Sequence, residues 1–139
     1  MNNFKTKPYL TLMIFALMAF FLISGCKAGL DNPANSSKEV EQANLIKLKN
    51  EIIELSKKVS CEDAKEWKFM PIGAKACGGP SDYISYSTKI DTNDFIKKVN
   101  FYTAESEKFN KKWGIVSDCT LLNPPKEIRC ENGKAVLIY

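Results

Sequence analysis

An α+β domain, with two helices packed on a small antiparallel sheet and stapled by two disulfides, follows from three features of the sequence. Two long stretches carry apolar residues at helical spacing, one over 45–59 and one over 95–113. Short β-leaning runs lie between and after them, the last of them interrupted by Asn132-Gly133. Four cysteines, Cys61, Cys77, Cys119 and Cys130, fall inside the same region and can pair with one another.

The chain opens differently. Residues 1–25 carry only two charges, Lys5 and Lys7, ahead of an apolar run from Tyr9 to Ile23 broken only by Thr11. A basic start, a short apolar core and small residues at its end describe a secretory signal peptide. The run falls short of the roughly 20 apolar residues that a transmembrane helix needs. It ends in Ile23-Ser24-Gly25-Cys26, which resembles the lipobox of bacterial lipoproteins: an aliphatic residue, two small ones and a cysteine. That resemblance implies cleavage before Cys26, a diacylglycerol thioether on its sulfur and an acyl group such as palmitate on the new amine. Two or three chains, at about 0.8 kcal/mol per buried methylene, anchor a protein stably, whereas one is marginal. In the same family an aspartate after the lipidated cysteine retains a protein in the inner membrane. Here that position is Lys27, so the outer membrane is expected, with the domain in the periplasm or at the cell surface.

Residues 26–36 hold Gly29, Asp31, Asn32 and Pro33 without periodicity and read as a tether. Ten extended steps from Cys26 to Ser36 reach about 35 Å. The remainder, 37–139, reads as one small domain. Ser36-Ser37-Lys38-Glu39 fits a capping box ahead of a helix over about 37–59. Its stripe is Leu45, Leu48, Ile52, Leu55 and Val59, widened by Ile46 and Ile53. A stripe this broad predicts packing within the domain, with self-association through this helix as the alternative.

Trp67–Ile72 reads as a strand, with Trp67 and Phe69 on one face and Lys68, Met70 and Ile72 on the other. Pro71 lacks an amide hydrogen and marks an edge or a strand end. Gly73 to Pro80, with Gly78-Gly79, must turn, and Tyr83–Ser87 is again β-leaning. Asp91 caps the second helix, and Asp94 meets the positive end of its dipole. Phe95, Val99, Tyr102, Phe109 and Trp113 form its stripe, with Ser106 the polar gap and Phe101 off the stripe. Gly114 ends it in the left-handed conformation. Asn132-Gly133 between Glu127–Cys130 and Lys134–Tyr139 predicts a hairpin.

With Cys26 set aside, the even number of cysteines in an exported domain reads as two disulfides in an oxidising compartment, and three pairings are open. A zinc site is not supported, because no C-x-x-C occurs and the chain has no histidine. The missing histidine also removes Ser-His and Cys-His catalysis. No motif calls for a cofactor: Gly73 to Pro80 lacks the Gly-Lys-Ser/Thr ending of a phosphate loop. Without Lys5 and Lys7 the net charge falls from +4 to +2, and Arg129 is the sole arginine, so nucleic-acid binding is not expected.

Two groups of residues remain as site candidates. Gly78, Gly79, Pro80, Asp82, Tyr83 and Tyr86 would put rigid aromatic and polar groups on a pinned loop, a composition suited to contacts with a partner protein. Glu62, Asp63, Glu66 and Asp82 offer the carboxylate pair that a hydrolase of envelope glycans would need. Ala76-Cys-Gly-Gly-Pro80, Tyr86-Ser87, Ser117-Asp-Cys119, Pro124-Pro125 and Cys130-x-x-Gly133-Lys134 together resemble small cysteine-bearing bacterial envelope lipoproteins without an assigned activity. The expectation is a non-enzymatic, lipid-anchored envelope module, attached to the membrane at Cys26, that binds or inhibits an envelope partner. A structural, self-associating role is the main alternative, and a carboxylate-based hydrolase is a further one.

Overall fold

The structure, a computed structural model, describes residues 33–139, with side chains from residue 37. The expected signal peptide, the expected lipidation site Cys26 and the expected tether as far as residue 32 lie outside the described residues.

The first helix, α1, runs over Pro33–Ser56. It starts ahead of the Ser36-Ser37 box, because a proline at the first helical position is already set at a helical φ and gives up an amide that would have no partner there. It stops short of Val59: Lys57 and Lys58 donate to the carbonyls of Glu54 and Leu55 in a tightened last turn. A single 3-10 turn follows at Ala64–Glu66, where the Asp63 carboxylate accepts from the Lys65 amide at 2.9 Å.

Strands β1, Trp67–Ile72, and β2, Asp82–Ser87, pair antiparallel with Trp67 opposite Ser87 and Ile72 opposite Asp82. Helix α2 spans Thr92–Trp113. Asp91 accepts from the Asp94 amide at its start, and at its end the amide of left-handed Gly114 donates to Asn110. Strands β3, Glu127–Glu131, and β4, Lys134–Ile138, form the expected hairpin. Asn132 and Gly133 both have positive φ, 50° and 75°, as a type I′ turn requires.

The expected single sheet is divided in two: β1–β2 and β3–β4 are separate two-stranded sheets. β1 has a hydrogen-bonded partner on one side only, as suits a strand containing Pro71. Both helices contact the β1–β2 sheet, and β3–β4 in turn packs against β1 and β2.

The main core lies between the helices and the first sheet. Ile52 of α1, Ile72, Ile84 and Tyr86 of the sheet, and Phe95 and Val99 of α2 are buried together. Tyr86 stacks on Phe95 with ring centroids 4.9 Å apart. Around them pack Leu48, Ile53, Leu55, Met70, Ile90 and Tyr102. The polar gap in the α2 stripe is satisfied locally, because the Ser106 hydroxyl donates to the Tyr102 carbonyl one turn earlier at 2.8 Å. Ile46 does not join the stripe; it lies on the exposed side of α1.

A core this small leaves much of the stability to crosslinks. Two disulfides are present, Cys61–Cys130 and Cys77–Cys119, with Cα separations of 5.2 and 5.5 Å. The first ties the segment before the 3-10 turn to β3, where the Cys61 amide also donates to the Gly133 carbonyl at 2.8 Å. The ends of the helices are joined by Glu41, whose carboxylate accepts from Lys112 Nζ and, at 2.9 Å, from Trp113 Nε1. Hydrogen bonds from Lys112 and then Trp113 hold the Glu41 carboxyl below its ordinary pKa.

Candidate binding surface

The pinned segment predicted to carry function is the connection between β1 and β2. Gly73 turns the chain at φ 71°, and a Cβ there would meet Ser81 and Tyr102. The chain then closes on itself, the Lys75 amide donating to Gly79 and the Gly78 amide to Lys75. Gly78 and Gly79, at φ 96° and 78°, face open space.

Two side chains of α2 hold this loop. Thr103 Oγ1 accepts from the Gly73 amide at 3.0 Å, and Asn110 Nδ2 donates to the Ala74 carbonyl at 2.8 Å. On the far side the Cys77–Cys119 bridge joins it to the segment after α2, where Ser117 Oγ accepts from the Cys77 amide at 3.4 Å. Between loop and helix lies an open cleft of about 800 Å³. Its charged lining residues are Lys75, Glu107 and Lys111; Glu107 and Lys111 lie 2.7 Å apart on successive turns of α2, and Lys111 lowers the Glu107 pKa.

The predicted loop residues separate. Gly78, Gly79 and Pro80 line the cleft. Asp82 and Tyr83 begin β2, where the exposed Asp82 carboxylate lies 3.8 Å from Lys49 Nζ and Tyr83 meets Phe69 edge-on. Tyr139 lies nearby, and partial desolvation, with the Asp82 charge second, raises its hydroxyl pKa. Tyr86 is not available to a partner, because strand alternation turns it, with Ile84, onto the helix-facing side of the sheet.

Asp63 and Glu66 serve structural ends. Asp63 caps the 3-10 turn, and Glu66 pairs with Lys89, raising the lysine's pKa. None of Glu62, Asp63, Glu66 and Asp82 lines the 800 Å³ cleft or the smaller cavity of about 570 Å³ between α1 and α2. Among the described residues no group of three or more Cys, Asp or Glu is placed to hold a metal ion. Phe101, off the α2 stripe, is 58% exposed beside that helix–helix cavity.

Sequence inspection missed Lys75. Its side chain is only 18% exposed, and its ammonium donates to the Thr120 carbonyl at 2.8 Å and pairs with Asp118 at 3.2 Å. A lysine in a glycine-rich loop carries no local sign of a bond formed more than 40 residues away.

Compared with protein-family models, curated proteins and solved structures, the chain matches none.

Proposed function

We propose that this chain is a lipid-anchored cell-envelope protein whose disulfide-stapled domain acts as a binding or inhibitory module. The observation that carries this reading is the pairing of all four cysteines of the domain around a small core. Disulfides of this kind persist in exported proteins and are rare where thiols are kept reduced. Ile23-Ser24-Gly25-Cys26 supplies the address, with acylation at Cys26 and, from Lys27, delivery to the outer membrane. The braced Gly73–Pro80 loop supports recognition over chemistry, because each charged side chain lining its cleft is already paired, Glu107 with Lys111 and Lys75 with Asp118.

Growth of a bacterium expressing the full chain with an alkyne-bearing fatty acid tests the anchor. The wild type is expected to take up the label and sediment with membranes, and Cys26→Ser is expected to do neither. An unlabelled wild type that stays in the soluble fraction would contradict the reading.

A further inference from the structure

The two disulfides sit in different surroundings. Cys61 is 3% exposed, its amide donates to the Gly133 carbonyl at 2.8 Å, and its partner Cys130 is half-buried inside β3, opposite Ala135 of β4. Cys77 and Cys119 are both exposed, and both lie in segments without helix or strand. Thiol–disulfide exchange requires a thiolate to reach a sulfur atom, so access decides which bridge is attacked, and exposed bridges are the labile ones.

The exposed bridge ties the Gly73–Pro80 loop to the segment that follows α2, and Cys77 and Ile115 both line the cleft of about 800 Å³. Most other links across this junction are weaker. Ser117 Oγ accepts from the Cys77 amide at 3.4 Å, beyond the usual N–H···O range of about 2.7–3.2 Å. Lys75 pairs with Asp118, whose side chain is 74% exposed, so solvent screens the pair. The bond of 2.8 Å from Lys75 Nζ to the Thr120 carbonyl is the one close contact left. No amide from Val116 to Asn123 donates to a backbone carbonyl among the described residues. The buried core draws on neither segment: Ile52, Ile72, Ile84, Tyr86, Phe95 and Val99 all lie on the helices and the first sheet. Opening the exposed bridge thus removes the main restraint on one wall of the cleft and leaves the core and the Cys61–Cys130 bridge in place.

We propose that Cys77–Cys119 is a reducible switch: a dithiol reductant opens it while Cys61–Cys130 stays closed, and opening it releases residues 116–123 from the cleft. A thiolate of the reductant attacks one sulfur of the bridge and forms a mixed disulfide as the original S–S bond breaks. The other sulfur leaves as a thiolate and takes up a proton. The second thiol of the reductant gives up its proton and displaces the first sulfur, which is protonated in turn. Two electrons and two protons pass to Cys77 and Cys119, and the reductant ends as a disulfide. This goes beyond the binding-module reading and does not depend on the anchor, since it stands on the two bridges alone.

The test uses the full chain in detergent, isolated from bacteria without reduction, with dithiothreitol as the dithiol. Samples quenched by alkylation at successive times are mapped by peptide mass. Cys77 and Cys119 are expected to become alkylatable about 10-fold or more faster than Cys61 and Cys130. Amide hydrogen exchange in 116–123 should rise about 10-fold or more as the first bridge opens, with exchange in α1 and α2 unchanged. The variant Cys77→Ser/Cys119→Ser should show the same fast exchange without reductant. Equal reduction rates, or Cys61–Cys130 opening first, would overturn the proposal, and so would unchanged exchange in 116–123 once Cys77 and Cys119 are alkylated. The rate comparison is made on the wild type, so it holds whether or not the variant folds.

Discussion

Removing the Cys61–Cys130 bridge with the double variant Cys61→Ala/Cys130→Ala tests how far this fold depends on crosslinks. The bridge spans 69 residues, which in isolation would correspond to about 4.4 kcal/mol of lost unfolded-state entropy. Cys77–Cys119 lies inside that span and short-circuits it, leaving an effective loop of about 27 residues and about 3.6 kcal/mol. Domains of this size are stable by only about 5–15 kcal/mol, so the variant should remain folded but marginal. Urea unfolding followed by far-ultraviolet circular dichroism and tryptophan fluorescence measures the loss. With a denaturant slope of about 1.5 kcal/mol per M, the midpoint should fall by roughly 2.4 M. A fall of less than about 0.7 M at unchanged slope, or about 1 kcal/mol, would refute the reasoning and mean that packing carries the domain without the bridge.

Three smaller perturbations probe other parts of the structure. Because the folded pKa of Glu41 is lowered, first by Lys112 and then by Trp113, its contribution is present above the ordinary carboxylate pKa and disappears as pH falls through the folded value. Glu41→Gln should therefore lower the thermal midpoint at about pH 7 and lower it progressively less as the pH falls below the ordinary carboxylate range; an effect independent of pH would contradict the pairing. Gly133→Ala places a Cβ 2.9 Å from Ser60 Oγ at φ 75° and should destabilise by about 1–2 kcal/mol. Gly79→Ala, with open space around it, should show the backbone strain alone, so urea midpoints should rank Gly79→Ala above Gly133→Ala. Trp67 Nε1 is buried with no hydrogen-bond partner among the described residues. Trp67→Phe removes that donor along with part of the packing and should cost less in urea unfolding than the roughly 3–5 kcal/mol of a large-to-small core substitution.

Local chemistry made several elements legible. Asp91, Gly114 and Asn132-Gly133 act within a few residues of themselves, so the ends of α2 and the β3–β4 hairpin could be read directly. An even cysteine number announced two bridges, but partners 42 and 69 residues apart are chosen by the folded chain. Period-2 alternation puts Ile84 and Tyr86 on one face of β2 without saying which face the helices cover, and this misplaced Tyr86 in a contact surface. The same limit hid Lys75, whose role exists only once the Gly73 turn brings it beneath Thr120. α1 begins at Pro33, inside the stretch read as tether and ahead of the Ser36-Ser37 box.

Peptide mapping of the full chain, isolated from bacteria without reduction, tests the stapled-module reading most directly. The predicted result is two crosslinked peptide pairs, Cys61 with Cys130 and Cys77 with Cys119, and no alkylatable thiol among the four. Pairs joined in any other combination would contradict the fold described here, and four free thiols would contradict both the fold and the oxidising compartment proposed from it.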